Sequence, residues 1–228
     1  MLNRQWKNQY MELARSKPET LLCCQKNDLS PDERTRLLNI LESRQAIVCD
    51  LGCGSGNHLL ELARRNPAAL HIGVELRYKR SFRCAEKAEK AGLKNLYFVR
   101  CDIHSFLESL PPLSIDAFYI NFPDPWEKRR WEKHRFVNSA LVGRMAYLLK
   151  DGGFVSCKTD HSDYFSEIRE ILSSSGSFLI EKTVSCSNLS LEVPSNIPTE
   201  FELFFQHKGL SISYISARKI TESRGPGL

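Results

Sequence analysis

The chain has 228 residues, 42% hydrophobic and 26% charged, with a formal net charge of +5. That is the balance of a globular protein with a full core, and its mild positive charge permits contact with nucleic acid without requiring it. No run of about 18 apolar residues is present, which excludes a helical membrane span.

The first ten residues, MLNRQWKNQY, lack the apolar centre of a secretory signal. Eight cysteines include no Cys-x-x-Cys pair, so no structural zinc site and no metal ligand set are expected. They read as reduced thiols of a cytoplasmic protein, several of them buried as small hydrophobes. Residues 1–30 carry Arg4, Lys7, Arg15 and Lys17 and read as a basic, loosely ordered arm with room for one helix. Ser30-Pro31-Asp32-Glu33 then supplies an N-cap, a proline at the first helical position and acids in the first turn. This predicts a helix to about Ser43. Residues 46–49 form a short buried strand. Leu59, Leu60, Leu62 and Ala63 give 57–65 a helical stripe. A second strand is predicted over 70–74, then a helix over 77–91 ended by Gly92 at the C′ position. Strands follow over 95–101 and 115–120. A helix over 136–149 is closed by Asp151-Gly152-Gly153. A strand over 154–157, a helix over 164–172 and strands over 178–184 and 211–217 complete the series. Seven strands alternating with helices predict one α/β domain over 31–220. Its sheet is doubly wound and mostly parallel, with helices on both faces. Residues 221–228 read as a disordered tail.

Asp50-Leu51-Gly52-Cys53-Gly54-Ser55-Gly56 lies between the first predicted strand and its helix. In an open parallel sheet, ligands bind beyond the carboxyl ends of the strands, and glycines there let the backbone approach a ligand. Dinucleotide binding would require Gly-x-Gly-x-x-Gly, whose third glycine falls on Asn57. The spacing is instead Gly-x-Gly-x-Gly with an acid two residues upstream. Glu75 ends the second strand, where a carboxylate accepts from both hydroxyls of a ribose. Asp102 ends the third, suited to an adenine amino group. Each acid alone could be a helix N-cap. The three together with the glycines point to a nucleoside-bearing ligand.

Residues 121–135 read NFPDPWEKRRWEKHR. Pro123 and Pro125 bias Phe122 and Asp124 toward extended backbone. The Asp124 carboxylate is then held stiffly beside Trp126, which suits a planar polar ligand. Lys128, Arg129, Arg130, Lys133, His134 and Arg135 follow against two glutamates, and suggest a polyanion alongside. Trp126 either stacks on a base or wedges the loop against the core. Asp160 is either a base contact or the N-cap of the next helix, with Ser162 and Asp163 as rival caps. His104 reads as a turn residue.

This pattern resembles the Rossmann-like, S-adenosylmethionine-dependent methyltransferases over roughly residues 45–160. It resembles most closely the tRNA (guanine-N7-)-methyltransferases. The residues that carry the closer resemblance are Asp50-Leu51-Gly52-Cys53-Gly54, Gly73-Val74-Glu75-Leu76, Phe122-Pro123-Asp124-Pro125-Trp126 with Lys128, Thr159-Asp160, and Thr199-Glu200-Phe201-Glu202. The resemblance implies S-adenosyl-L-methionine as methyl donor, S-adenosylhomocysteine as product, and tRNA as partner. Transfer would be to N7 of a guanosine in the variable loop. It implies that Asp50, Gly52, Gly54, Gly56, Glu75, Asp102 and Asp124 bind the donor. Asp50 and the glycines would meet its methionine end, Glu75 the ribose and Asp102 the adenine. Asp124 matches the family's active-site acid. Lys128, Asp160, Thr199, Glu200, Phe201 and Glu202 match substrate-contacting positions. Glu200 stands where the family usually has Lys, Leu203-Phe204-Phe205 replaces a basic, glycine-rich continuation, and Asp50 replaces the commoner Glu. A monomer or homodimer without membrane association is expected. The alternatives are a methyltransferase acting on an exocyclic amine of nucleic acid or protein, whose Asn-Pro-Pro-aromatic motif is similar to residues 121–126, and a non-catalytic RNA-binding module.

Overall fold

A computed structural model of the chain describes residues 8–24, 27–43, 45–127 and 129–221. In chain order the elements are α1 (Gln9–Arg15), β1 (Leu21–Cys23), α2 (Pro31–Leu41), β2 (Ile47–Leu51), α3 (Asn57–Arg65), β3 (Leu70–Val74), α4 (Tyr78–Lys90), β4 (Leu96–Arg100) and α5 (Ile103–Glu108). There follow β5 (Ile115–Asn121), a 3₁₀ helix (Arg129–His134), α6 (Ser139–Leu148), β6 (Leu149–Thr159), α7 (Ser162–Ser174), β7 (Phe178–Cys186), α8 (Leu189–Glu192), α9 (Glu200–His207) and β8 (Ile212–Lys219).

The strands form one sheet in the order β1-β4-β3-β2-β5-β6-β8-β7. Pairings of β1 and β3 with β4, and of β5 with β6, are parallel; β8 runs antiparallel to both β6 and β7. This is the doubly wound, mostly parallel α/β sheet that the alternating pattern predicts, with eight strands where seven are expected. The additional strand is β1, inside the stretch read as a loosely ordered arm. Leu21, Leu22 and Cys23 pair with Phe98, Val99 and Arg100, and three residues are too few to show a period of their own. Ahead of it, the Asn8 side chain caps α1 by accepting from Tyr10 N at 3.1 Å.

Several local signals hold as read. Ser30 and Glu33 form a reciprocal capping box at the start of α2, although the helix ends at Leu41, two residues before the predicted Ser43. Gly92 follows α4 in the left-handed conformation, φ +66°. Others do not. Asp151-Gly152-Gly153 lies inside β6, where the β5–β6 register shifts between Ile115 and Ala117. Glycine marks a strand irregularity as readily as a helix stop. Helices α5, α8, α9 and the 3₁₀ helix are not foreseen. Of the expected tail, only Thr221 is among the described residues.

The fold divides into two compact units, Met1–Ala46 with Asp50–Ser109, and Ile47–Cys49 with Leu110–Leu228. The first has a core that includes Leu21, Leu59, Ala63, Phe82, Ala85 and Phe98. In the second, Leu189, Val193 and Ile212 pack with Phe122, Phe205 and Tyr214. Among the described residues, no helix is long and apolar enough to cross a membrane.

Candidate active site

In the first unit, residues 52–56 make a tight turn against the end of β3. Gly52 N and Cys53 N both donate to Val74 O, at 2.9 and 3.0 Å, and Gly56 N donates to Cys53 O at 2.9 Å. Gly52, Gly54 and Gly56 all have positive φ, +80°, +56° and +76°, a region that costs other residues about 1–2 kcal/mol. At Gly56 space matters as well, since a Cβ there would lie 2.7 Å from Cys84 Sγ. At Gly52 a Cβ would meet nothing within 4 Å, so the loop is open on that side. Helix α4 braces the loop from behind. Lys87 Nζ donates to Ser55 O (2.8 Å) and to Asn57 Oδ1 (2.7 Å), and Cys84 Sγ to Gly54 O (3.4 Å). The hydrogen bond with Cys84, then burial, push the Cys53 thiol well up, so the loop presents no thiolate at neutral pH.

The three acids sit as the strand ends predict. The Asp50 side chain is only 2% exposed; Oδ2 lies 3.1 Å from His58 Nδ1. Oδ1 is buried with no hydrogen-bond partner among the described residues, an acceptor that fits a donor group on a ligand. Glu75 is buried. Its Oε1 accepts from Arg77 N at 2.8 Å, and Oε2 lies 3.7 Å from Arg80. Asp102 caps α5, Oδ1 accepting from His104 N (2.9 Å) and Ser105 N (3.4 Å). Capping and ligand contact remain compatible there, because a carboxylate has a second oxygen. The connections that follow β1 and β3 are tied to the end of β4 by Arg100, whose guanidinium donates to Leu76 O, Cys24 O and Asn27 Oδ1 and lies 3.9 Å from the Tyr78 ring centroid.

In the second unit, the turn after β5 departs from expectation. Phe122 is not extended but left-handed, φ +52°, as is Trp126, φ +44°. The residue before a proline is biased toward extended backbone by steric clash, and at Phe122 packing overrides that bias. Phe122 N donates to Lys158 O at 2.8 Å, and its ring lies 5.9 and 5.6 Å from those of Phe201 and Phe205 on α9. On the far side of Asp124, Arg135 Nε donates to Pro125 O at 2.9 Å. Asp124 itself is exposed, so an unburied carboxylate stands on a turn fixed at both flanks. Trp126 is 38% exposed and packs edge-on against Trp131, centroids 6.0 Å apart.

Arg135 corrects the reading of the basic run. It is buried, ion-paired with Glu167 and placed over the Tyr164 ring, so it supports the turn rather than a polyanion. Lys128 lies outside the described residues. Asp160 is exposed at the end of β6, and His161, not Asp160, Ser162 or Asp163, caps α7. The segment 199–202 separates by burial. Thr199 is the N-cap of α9, accepting from Glu202 N at 3.0 Å. Glu202 is fully buried against Lys158 and Asn196. Both of these residues, which the sequence matches to substrate-contacting positions, are buried. Glu200 and Phe201 are exposed.

The residues that sequence reading missed, His58, Arg100 and Lys158, are all buried charged or titratable groups. Arg100 and Lys158 carried a usable signal, since a charge inside an apolar strand run needs a partner.

A family model, "Putative methyltransferase", matches residues 44–214. A tRNA (guanine-N(7)-)-methyltransferase of Lachnoclostridium phytofermentans is 34% identical over 178 residues, which are 78% of this chain and 83% of that protein. A bifunctional glycosyltransferase/methyltransferase of Fusobacterium nucleatum is 33% identical over 214 residues, 93% of this chain; the chain spans 33% of that longer protein. A solved structure described as an antibiotic-related methyltransferase superposes with a TM-score of 0.60 at 25% identity, over 84% of this chain and 95% of its own.

Proposed function

The chain belongs to the tRNA (guanine-N7-)-methyltransferase family, and from that premise we propose that it transfers a methyl group from S-adenosyl-L-methionine to N7 of a guanosine in the variable loop of tRNA. The products are 7-methylguanosine and S-adenosylhomocysteine. The donor supplies an electrophilic methyl group on a sulfonium. Asp50 and the backbone of Gly52, Gly54 and Gly56 hold its methionine end, Glu75 its ribose and Asp102 its adenine. The buried, unpartnered Oδ1 of Asp50 supports this assignment.

Guanine N7 has an in-plane lone pair and no proton, so no base is needed to prepare it. The chain's contribution is positioning and electrostatics. Asp124 accepts from the guanine N1–H and exocyclic amine, orients the ring and favours the positive charge that develops on the purine. The observation that carries this role is an exposed carboxylate on a turn held through Phe122 N and Pro125 O. Lys128, Asp160, Glu200 and Phe201 contact the RNA. Thr199 and Glu202 act by holding the start of α9. The reaction takes place in the cytoplasm, by a monomer or homodimer.

The test is methylation of unmodified bulk tRNA, then nuclease digestion and mass spectrometry of the nucleosides. A 7-methylguanosine peak is expected. A charged hydrogen bond contributes on the order of 1.5–3 kcal/mol, so Asp124→Ala is expected to slow turnover by roughly ten- to a few-hundred-fold. Wild-type turnover in that variant removes Asp124 from the mechanism. A methyl group on an exocyclic amine replaces the proposed reaction with the alternative one.

A further inference from the structure

We infer that His58 is a positioning residue of the donor site, holding the Asp50 carboxylate so that one of its oxygens stays turned to the ligand. The two residues are eight apart and close the base of the glycine loop, Asp50 at the end of β2 and His58 in the first turn of α3. Both side chains are withdrawn from solvent, 2% and 6% exposed. His58 Nδ1 lies 3.1 Å from Asp50 Oδ2. A carboxylate offers only lone pairs, so in this contact Nδ1 is the donor.

The consequence is asymmetric. Oδ2 is engaged within the protein, while Oδ1 is buried with no hydrogen-bond partner among the described residues. A buried acceptor without a donor is unfavourable, and a ligand ammonium placed against it removes that penalty. Aspartate is short, and without a second anchor its carboxylate turns freely about its own terminal torsion. With Oδ2 held by His58, rotation is blocked and Oδ1 keeps one direction. This inference rests on the reading of Asp50 as the contact to the donor's methionine end.

Three variants test it: His58→Leu fills the volume without a donor, His58→Asn places an amide N–H near the position of Nδ1, and Asp50→Asn removes the charge. Calorimetry with S-adenosylhomocysteine reads affinity and thermal unfolding reads the fold. His58→Leu is expected to weaken binding about tenfold, the loss of one hydrogen bond to a charged group. The Michaelis constant for S-adenosylmethionine is expected to rise in step. The constant for tRNA, and turnover at saturating donor, stay at wild-type values. His58→Asn is expected to restore binding to within about threefold of wild type, a residual near the limit of what such a substitution measures. Wild-type affinity in His58→Leu overturns the inference, and so does a His58→Asn variant that folds but binds as weakly as His58→Leu. Should His58→Leu not fold, His58→Gln takes its place, since its amide sits one bond further out; equal affinity in the Asn and Gln variants overturns the inference. Asp50→Asn separates the two levels. Wild-type affinity there overturns the reading of Asp50 itself, whereas weakened binding beside an unaffected His58→Leu overturns only the role of His58.

Discussion

Lys158 is the residue through which the second unit's site is held together. Its side chain is 3% exposed, and its ammonium donates to Asn196 Oδ1 (2.5 Å), Ile197 O (2.9 Å) and Glu202 Oε2 (2.8 Å). Glu202 Oε1 accepts in turn from Asn196 Nδ2 at 2.6 Å. Removing one member of such a pair leaves the other charge buried and uncompensated, at about 3–5 kcal/mol. Lys158→Met and Glu202→Met are each expected to lower stability by that order in urea unfolding. The double variant is expected to lose far less than the sum of the two, because it leaves no lone charge. Additive losses would mean that the pair is not coupled. The partners are 44 residues apart, which is why the pair was not legible in the sequence. The places of Asp50, Glu75, Asp102 and Asp124 in the fold were legible, because the first three end predicted strands and the last sits between two prolines. For Glu202 the motif gives the position without the burial.

At the level of elements, the turn after β5 and helix α9 form one device. A non-glycine residue in the left-handed region costs about 1–3 kcal/mol and persists only where its surroundings over-determine it. For Phe122 those surroundings are the rings of Phe201 and Phe205 and the carbonyl of Lys158. Two substitutions separate backbone from side chain. Phe122→Ala loses the ring and keeps the strain, while Phe122→Gly loses the ring and relieves it. The glycine variant is therefore expected to be the more stable, by about 1 kcal/mol, although glycine ordinarily weakens a fold relative to alanine. Alanine as stable as glycine in urea unfolding would refute the left-handed assignment. Both variants are expected to turn over tRNA more slowly, because Asp124 lies two residues on. The prolines marked this turn in the sequence, but its handedness is decided by α9, some eighty residues later. Helix α9 does carry a local signal: Thr199 with Glu202 three residues on is the spacing of a helix cap. Element β1 had none, being three residues long.

For the whole molecule, alternation of strand and helix sufficed to give the sheet class, since each period is a local property. The antiparallel course of β8 was not legible, because pairing partners are chosen by the assembled sheet. Charge is the other global property. The net charge of +5 is modest for a protein proposed to bind tRNA, so the affinity must come from charge gathered in one place. The run after Trp126 is the candidate, and the structure divides it. Arg130 is exposed and lies 5.0 Å from the Trp131 ring centroid, whereas Arg135 is buried against Glu167 and Pro125. Each phosphate neutralised by a protein cation contributes roughly 0.7–0.9 to the slope of log affinity against log salt. Replacing Lys128, Arg129 and Arg130 by alanine together is expected to flatten that slope by about two in tRNA binding titrated between roughly 50 and 200 mM salt. Arg135→Ala is expected to leave the slope alone and to lower the unfolding midpoint, since it deprives Glu167 and the Pro125 carbonyl of their partner. An unchanged slope in the triple variant would take the run out of the RNA interface. A flattened slope in Arg135→Ala would mean that Arg135 turns outward to meet the RNA.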